Sequence, residues 1–129
     1  MATGNYVLDK GYIPAAALTK FMPVKLTAAE TVGPIAANSD VVHGFAQFDV
    51  ASSEITRGKQ ASVRIMGITE AVAAGAIAVG VAVQLEATGQ VSAAVGASGK
   101  RLVGRCVGHP SSVAGDRISL LFDPTGGVA

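Results

Sequence analysis

The chain has 129 residues, of which half are hydrophobic, 5% are aromatic and none is Trp; ten basic and nine acidic side chains leave a formal charge of +1. That balance does not call for nucleic acid or an anionic membrane as partner, and the uncharged apolar run 71–85, between Glu70 and Glu86, is shorter than the ~20 residues a bilayer-spanning helix needs. The single cysteine, Cys106, excludes an internal disulfide and fits a reducing compartment, and the N-terminus carries no basic segment followed by an apolar run, so the reading is of a protein used without secretion.

Length points to one domain with one core. Its apolar content is mostly Ala and Val, which bury little area each, so another subunit is expected to complete the burial. Charge is sparse, at 15%, which suggests that part of the surface meets protein.

Residues 1–19 mix Gly4, Asn5, Gly11 and Pro14 with Tyr6, Val7, Leu8, Tyr12 and Ile13 and hold no period, so an extended arm is expected. Two uses of it stay open: a strand or wrap on its own core, and a tether laid on a partner. Residues 21–27 read as an edge strand because of Pro23. Residues 28–40 read as a loop with room for one short strand. Over 41–50, Val41, His43, Phe45 and Gln47 alternate with Val42, Gly44, Ala46 and Phe48, which predicts a strand. Residues 51–60 are turn-like, with Arg57, Gly58 and Lys59 at the tip.

The stretch 63–85 is the expected centre of the fold. Val63, Ile65 and Gly67 alternate with Arg64, Met66 and Ile68, and Val79, Val81, Val83 and Leu85 alternate with Ala78, Gly80, Ala82 and Gln84. Two strands are therefore expected, with residues 69–77 reversing the chain between them. A helix is disfavoured by Gly75 and Gly80, at about 1 kcal/mol each, and by the β-branched valines. Downstream, Thr88-Gly89-Gln90 predicts a hairpin turn leading to Val91, Ala93 and Val95; residues 96–99 a loop; 101–107 a strand; and 109–116 a loop. A last strand follows over 117–122, with Ile118, Leu120 and Phe122 on one face. Short strands punctuated every 8 to 12 residues or so predict an all-β fold, a small β-barrel or sandwich with an extended N-terminal arm. The expected divisions are the arm at 1–19, a β-rich domain at 20–123 and a C-terminal tail at 124–129.

Catalytic and cofactor chemistry has little support. Gly96 to Lys100 resembles a phosphate loop, but Ala94 and Arg101 stand where Gly and Ser or Thr are needed, and no helix follows. Cys106, His109 and His43 fall short of the four ligands of a structural zinc site. His109, Ser111, Ser112 and Asp116 have the residue types of a hydrolytic triad within a turn-rich loop, where only geometry would give them meaning. No catalytic, cofactor-binding or metal-binding residue is assigned. Arg57, Lys59, Arg64, Lys100, Arg101 and Arg105 together make a possible basic patch, yet no aromatic residue lies near them for base stacking. A solvated face, or a contact with an acidic protein surface, suits them better.

The succession Val42-His43-Gly44-Phe45, Val63-Arg64-Ile65-Met66-Gly67, Glu70-Ala71-Val72-Ala73-Ala74-Gly75, Ile77-Ala78-Val79-Gly80, Val103-Gly104-Arg105-Cys106 and Ala114-Gly115-Asp116-Arg117-Ile118-Ser119-Leu120 resembles the small capsid decoration, or cement, proteins of tailed bacteriophages. The likeness covers residues 41–122 and lies in the order of short Gly/Ala/Val-rich motifs. It implies a compact β-rich domain, commonly a homotrimer, made in the host cytoplasm and placed on the exterior of an icosahedral capsid. There it would bridge neighbouring major capsid protein subunits against the pressure of packaged DNA, with no enzymatic activity, no cofactor, and neither nucleic acid nor membrane as partner. The expected capsid contacts are Tyr6, Val7, Leu8, Tyr12 and Ile13 in the arm, with Arg57 and Lys59 at a loop tip, and deleting residues 1–19 is expected to leave a folded β domain. Another virion module, a head-fibre base or a tail-tube or spike component, is the alternative. A small enzyme or ligand-binding barrel is the third.

Overall fold

The computed structural model describes residues 7–128. Within them nine strands run in chain order: β1 (Leu8–Pro14), β2 (Pro23–Ala28), β3 (Thr31–Pro34), β4 (Gly44–Ala46), β5 (Ala61–Val72), β6 (Ala82–Leu85), β7 (Val91–Ala93), β8 (Leu102–Cys106) and β9 (Arg117–Phe122). A four-residue helix, α1 (Ser52–Ile55), precedes β5. The fold is all-β, as the punctuation of the sequence predicts.

β5 is the pivot. Its alternation puts Ala61, Val63, Thr69 and Ala71 inward and leaves Ser62, Arg64, Met66 and Glu70 toward solvent. The first half pairs antiparallel with β1 and with β4, and the second, from Gly67 to Val72, pairs antiparallel with β9. Gly67, at φ +100°, stands where the partners change, in a backbone region that costs glycine little. Around the first half, β1, β3, β2, β4 and β5 form a five-stranded barrel, closed because β1 pairs with both β3 and β5. From the second half, β9, β8, β6 and β7 continue as a further sheet. A bridge between Ala73 and Val91 brings β7 back to the end of β5, with the Ala74 N–H donating to the Val91 carbonyl at 2.7 Å. This return leaves little open strand edge for unwanted pairing.

Each half has its own core. The barrel encloses Tyr12, Leu18, Val24, Val32, Ala46, Val50, Ala61 and Val63. The second sheet packs over Phe45, Ala71, Ile77, Val83, Leu85, Val91, Val103, Ile118, Leu120 and Phe122, among others. Phe45 and Ala46 are consecutive on β4, so their side chains point to opposite faces and each enters a different core. The Phe45 ring meets Phe122 edge-on at 5.5 Å between centroids. Arg101 adds a polar tie, its guanidinium donating to the backbone carbonyls of Ser39 and Asp40.

Several segments differ from the sequence reading, each for a physical reason. The chain does not reverse over 69–77: β5 runs on to Val72 because Thr69 and Ala71 are buried while Glu70 projects outward. The strand expected from Ala78 begins only at Ala82, because Val79 and Gly80 form a turn with Gly80 at φ +89°. These two strands are not neighbours, since β6 pairs with β7 and β8. β2 is no edge strand; it lies between β3 and β4, and Pro23 is tolerated because it is the first residue of the strand. The strand expected over 41–50 shrinks to Gly44–Ala46, and Val42 joins the same core as Phe45 instead of facing away from it.

At the chain ends, residues 8–14, expected as arm, form β1, and residues toward the C-terminus, expected as tail, lie against β8. There the Leu102 N–H donates to the Gly127 carbonyl, and Arg101 bridges Val128. The β6–β7 turn and β9 lie where the sequence places them, with Gly89 at φ +88° inside the turn.

Candidate functional site

The side chains singled out as possible catalysts or ligands are engaged in holding loops. The Ser111 hydroxyl donates to the Gly75 carbonyl at 2.7 Å, and the Asp116 carboxylate accepts from the Ser112 and Val113 N–H groups, which hold it below the usual carboxylate range. Cys106 is buried and its thiol approaches the His109 backbone carbonyl, not the imidazole; burial pushes the thiol up. His43 Nε2 lies 2.6 Å from the Tyr12 hydroxyl, tying β1 to the approach to β4. Burial, with Lys10 nearby, holds this imidazole below its ordinary value. Among the described residues no three His, Cys, Asp or Glu side chains are grouped to hold a metal ion.

Several of the basic residues are held in ion pairs. Arg64 is bidentate to Asp9 at 2.8 and 3.0 Å, an interaction that raises its pKa further. Lys59 pairs with Glu54, and Lys100 with Glu86. Burial pushes Glu86 up, but the Ser92 hydroxyl and the Lys100 ammonium outweigh it and leave the carboxyl below its usual range. Three of the six cations expected to form a patch are thus neutralised by carboxylates within the described residues.

The residues expected to contact a partner divide into separate places. Tyr6 lies outside the described residues. Val7 and Leu8 are exposed at the start of β1, and Leu8 stands opposite Met66 of β5. Tyr12 is 5% exposed, in the barrel core, so its ring holds β1 down instead of facing outward. Ile13 is exposed at the other end of β1. Arg57 and Lys59 precede Ala61, which pairs with Tyr12, and so sit near the Ile13 end. Leu8 and Ile13 are five residues apart, about 17 Å along a strand.

A continuous apolar face emerges at the Leu8 end. On the outer side of β5, Met66 and Ile68 follow each other at the two-residue period; Leu8 is paired with Met66 and Leu121 of β9 with Ile68. Leu8, Met66 and Leu121 are 48%, 60% and 46% exposed. A register shift between Leu8 and Asp9 leaves both facing solvent, so Asp9 meets Arg64 while Leu8 meets Met66. Beyond Leu121 comes Arg105 of β8, beside a groove of about 490 Å³ between the β8–β9 surface and the C-terminal residues. The groove floor depends on Gly104: at φ +147° it carries no side chain where a Cβ would collide with the Leu121 carbonyl. Met66 and Leu121 were not among the expected contacts, and Arg105 entered only as one member of a possible basic patch. The signal for Met66 was present, since Arg64, Met66 and Ile68 share one face of a predicted strand; the pairing of Leu121 with it is long-range and left no local trace.

The family model of the phage cement proteins matches residues 1–120. The chain belongs to that family. This cement protein is accordingly a structural virion protein of a bacteriophage. Its fold is also similar to a solved structure, the head fiber gp8.5 N base in bacteriophage phi29, with a TM-score of 0.66 at 13% identity, covering 94% of this chain and 98% of that one. At that identity the likeness concerns the fold. A comparison with curated proteins gave no match.

Proposed function

We propose that this cement protein binds the outer surface of an icosahedral phage capsid as a homotrimer and bridges neighbouring major capsid protein subunits, reinforcing the shell against the pressure of packaged DNA. The observation that carries this reading is the family match along nearly the whole chain. The fold supports it: a closed barrel joined to a second sheet gives a stiff body, and the exposed apolar face offers contact area where titratable groups are engaged in loop structure. In this reading Val7 and Leu8 touch the shell directly, Ile13, Arg57 and Lys59 contribute from the other end of β1, and Tyr12 anchors the strand that presents them. Cyclic association makes individually weak contacts effective, because linked subunits raise avidity by about 10² to 10⁴ without new contacts.

A head-fibre base is the second reading, favoured by the fold shared with the phi29 head fiber base. It also places the chain on a virion but gives it a further protein to carry. Native mass spectrometry of the purified protein, alone and after incubation with empty capsids, tests the first reading. The expected species has three times the chain's 12.9 kDa and is depleted from solution by capsids. A monomer or hexamer that capsids leave in solution contradicts it.

A further inference from the structure

We propose that the Tyr12–His43 contact is an acid-sensitive clasp on β1, the strand that closes the barrel: protonating the imidazole loosens β1 from the barrel ahead of the second sheet. The inference concerns the chain by itself and does not depend on what it binds.

Three side-chain ties hold β1 along its length. Asp9 is bidentate to Arg64 of β5, Lys10 pairs with Glu30 of the β2–β3 turn at 2.9 Å, and the Tyr12 hydroxyl meets His43 Nε2 at 2.6 Å just before β4. Of these side-chain types, imidazole is the one that changes charge between about pH 5 and 8. Tyr12 is also the tie that reaches inside: it belongs to the barrel core, and its ring meets the imidazole edge-on at 5.0 Å between centroids.

Which partner holds the proton decides how well the contact is satisfied. The Tyr12 hydroxyl has no other hydrogen-bond partner among the described residues, so its proton is satisfied when it donates to an unprotonated Nε2. A protonated Nε2 is itself a donor. The hydroxyl oxygen can accept from it, but the hydroxyl proton is then left without an acceptor on a residue that is 5% exposed. The surroundings add to this penalty. Burial disfavours the imidazolium, and Lys10, whose ammonium lies 5.2 Å from the Tyr12 ring centroid, repels it. Glu30 attracts it but is already engaged by Lys10. On the other strands beside His43 the charges are paired: Lys25 follows Val24, whose carbonyl accepts the His43 N–H, and holds Asp40, while Arg64 of β5 holds Asp9. The imidazole is therefore held neutral while β1 is seated and takes a proton more readily once β1 is released. Its contribution is complete above the ordinary histidine value of about 6.5 and is lost as pH falls below it.

The test melts the full chain at about pH 7.5 and 5.5, either side of the ordinary histidine value and above that of carboxylates, and follows amide hydrogen exchange at both. The unmodified protein is expected to melt about 3 °C lower at the acidic pH, and the β1 amides, corrected for the intrinsic rate, to lose at least about threefold more protection than those of β9. His43→Gln, which can accept the Tyr12 hydroxyl through its amide oxygen and does not titrate, is expected to show neither loss. His109→Gln, at the other histidine of the chain, is expected to behave as the unmodified protein does. The inference is overturned if the unmodified protein shows no acid loss, or if His43→Gln shows the same loss. It is equally overturned by a loss that His109→Gln removes or that falls evenly on β1 and β9. Should His43→Gln not fold, NMR titration of the His43 ring in the unmodified protein decides: a midpoint below the ordinary histidine value supports the clasp, and one at or above it overturns it.

Discussion

Asp40 shows how single side chains hold the long connection between β3 and β4. Its carboxylate accepts the Ala36 N–H at 2.7 Å and the Ala37 N–H at 2.9 Å and pairs with Lys25 at 3.1 Å. The backbone bonds, more than the ammonium, hold its pKa below the ordinary 3.8. A carboxyl depressed in the folded state contributes stability that is complete above its unfolded pKa and is lost as pH falls through the folded one. Asp40→Asn keeps the shape but replaces one carboxylate oxygen with a donor, and is expected to cost ~1–2 kcal/mol at neutral pH. Urea titrations across pH 2–7 or so check this: the gap between the unmodified protein and the variant should close progressively below about pH 4. A gap that stays constant through that window would mean that the carboxylate's charge is not what holds the loop.

At the scale of elements, β1 carries the largest consequence. It pairs with β5 from Leu8 to Tyr12 and with β3 at Ile13 and Pro14, and it supplies Tyr12 to the barrel core. Removing residues 1–19 therefore takes a wall from the barrel, together with the buried Leu18. The truncated chain is expected to lose its cooperative melt, where the sequence alone suggested that a folded domain would survive. A truncated protein with a sharp transition near that of the full chain would contradict the barrel's dependence on β1.

What was legible in the sequence follows the same physics. β9 was readable to the residue because Ile118, Leu120 and Phe122 bury one face of the strand, leaving a clean two-residue period. β5 was readable only in its first half: its continuation is set by pairing with β9 and by the burial of Thr69 and Ala71, and neither residue announces a strand locally. The alternation of Val79, Val81, Val83 and Leu85 overstated β6, because a turn at Gly80 leaves Val79 exposed and the period survives by accident. For the candidate site, the exposure of Leu8 and Met66 was within reach of alternation arguments. Their adjacency to Leu121 and Arg105 depends on the pairings of Leu8 with Met66, Ile68 with Leu121 and Arg105 with Leu121, which join separate stretches of chain and which no local pattern encodes.

For the whole molecule, two cores share β4 and β5, so the barrel and the second sheet are coupled mechanically. Phe45 and Ala46 join them from adjacent positions, and Arg101 ties the second sheet to the 38–40 connection. A body of this kind transmits load between its faces without a flexible linker, which suits a part that bridges subunits of a pressurised shell. The measurement that tests this account most directly is the temperature at which DNA-filled capsids lacking the protein release their genomes, before and after the purified protein is added back. The account predicts that release shifts to higher temperature and that the shift saturates as the protein covers the outer surface. An unchanged release temperature on capsids shown to be fully covered would contradict it.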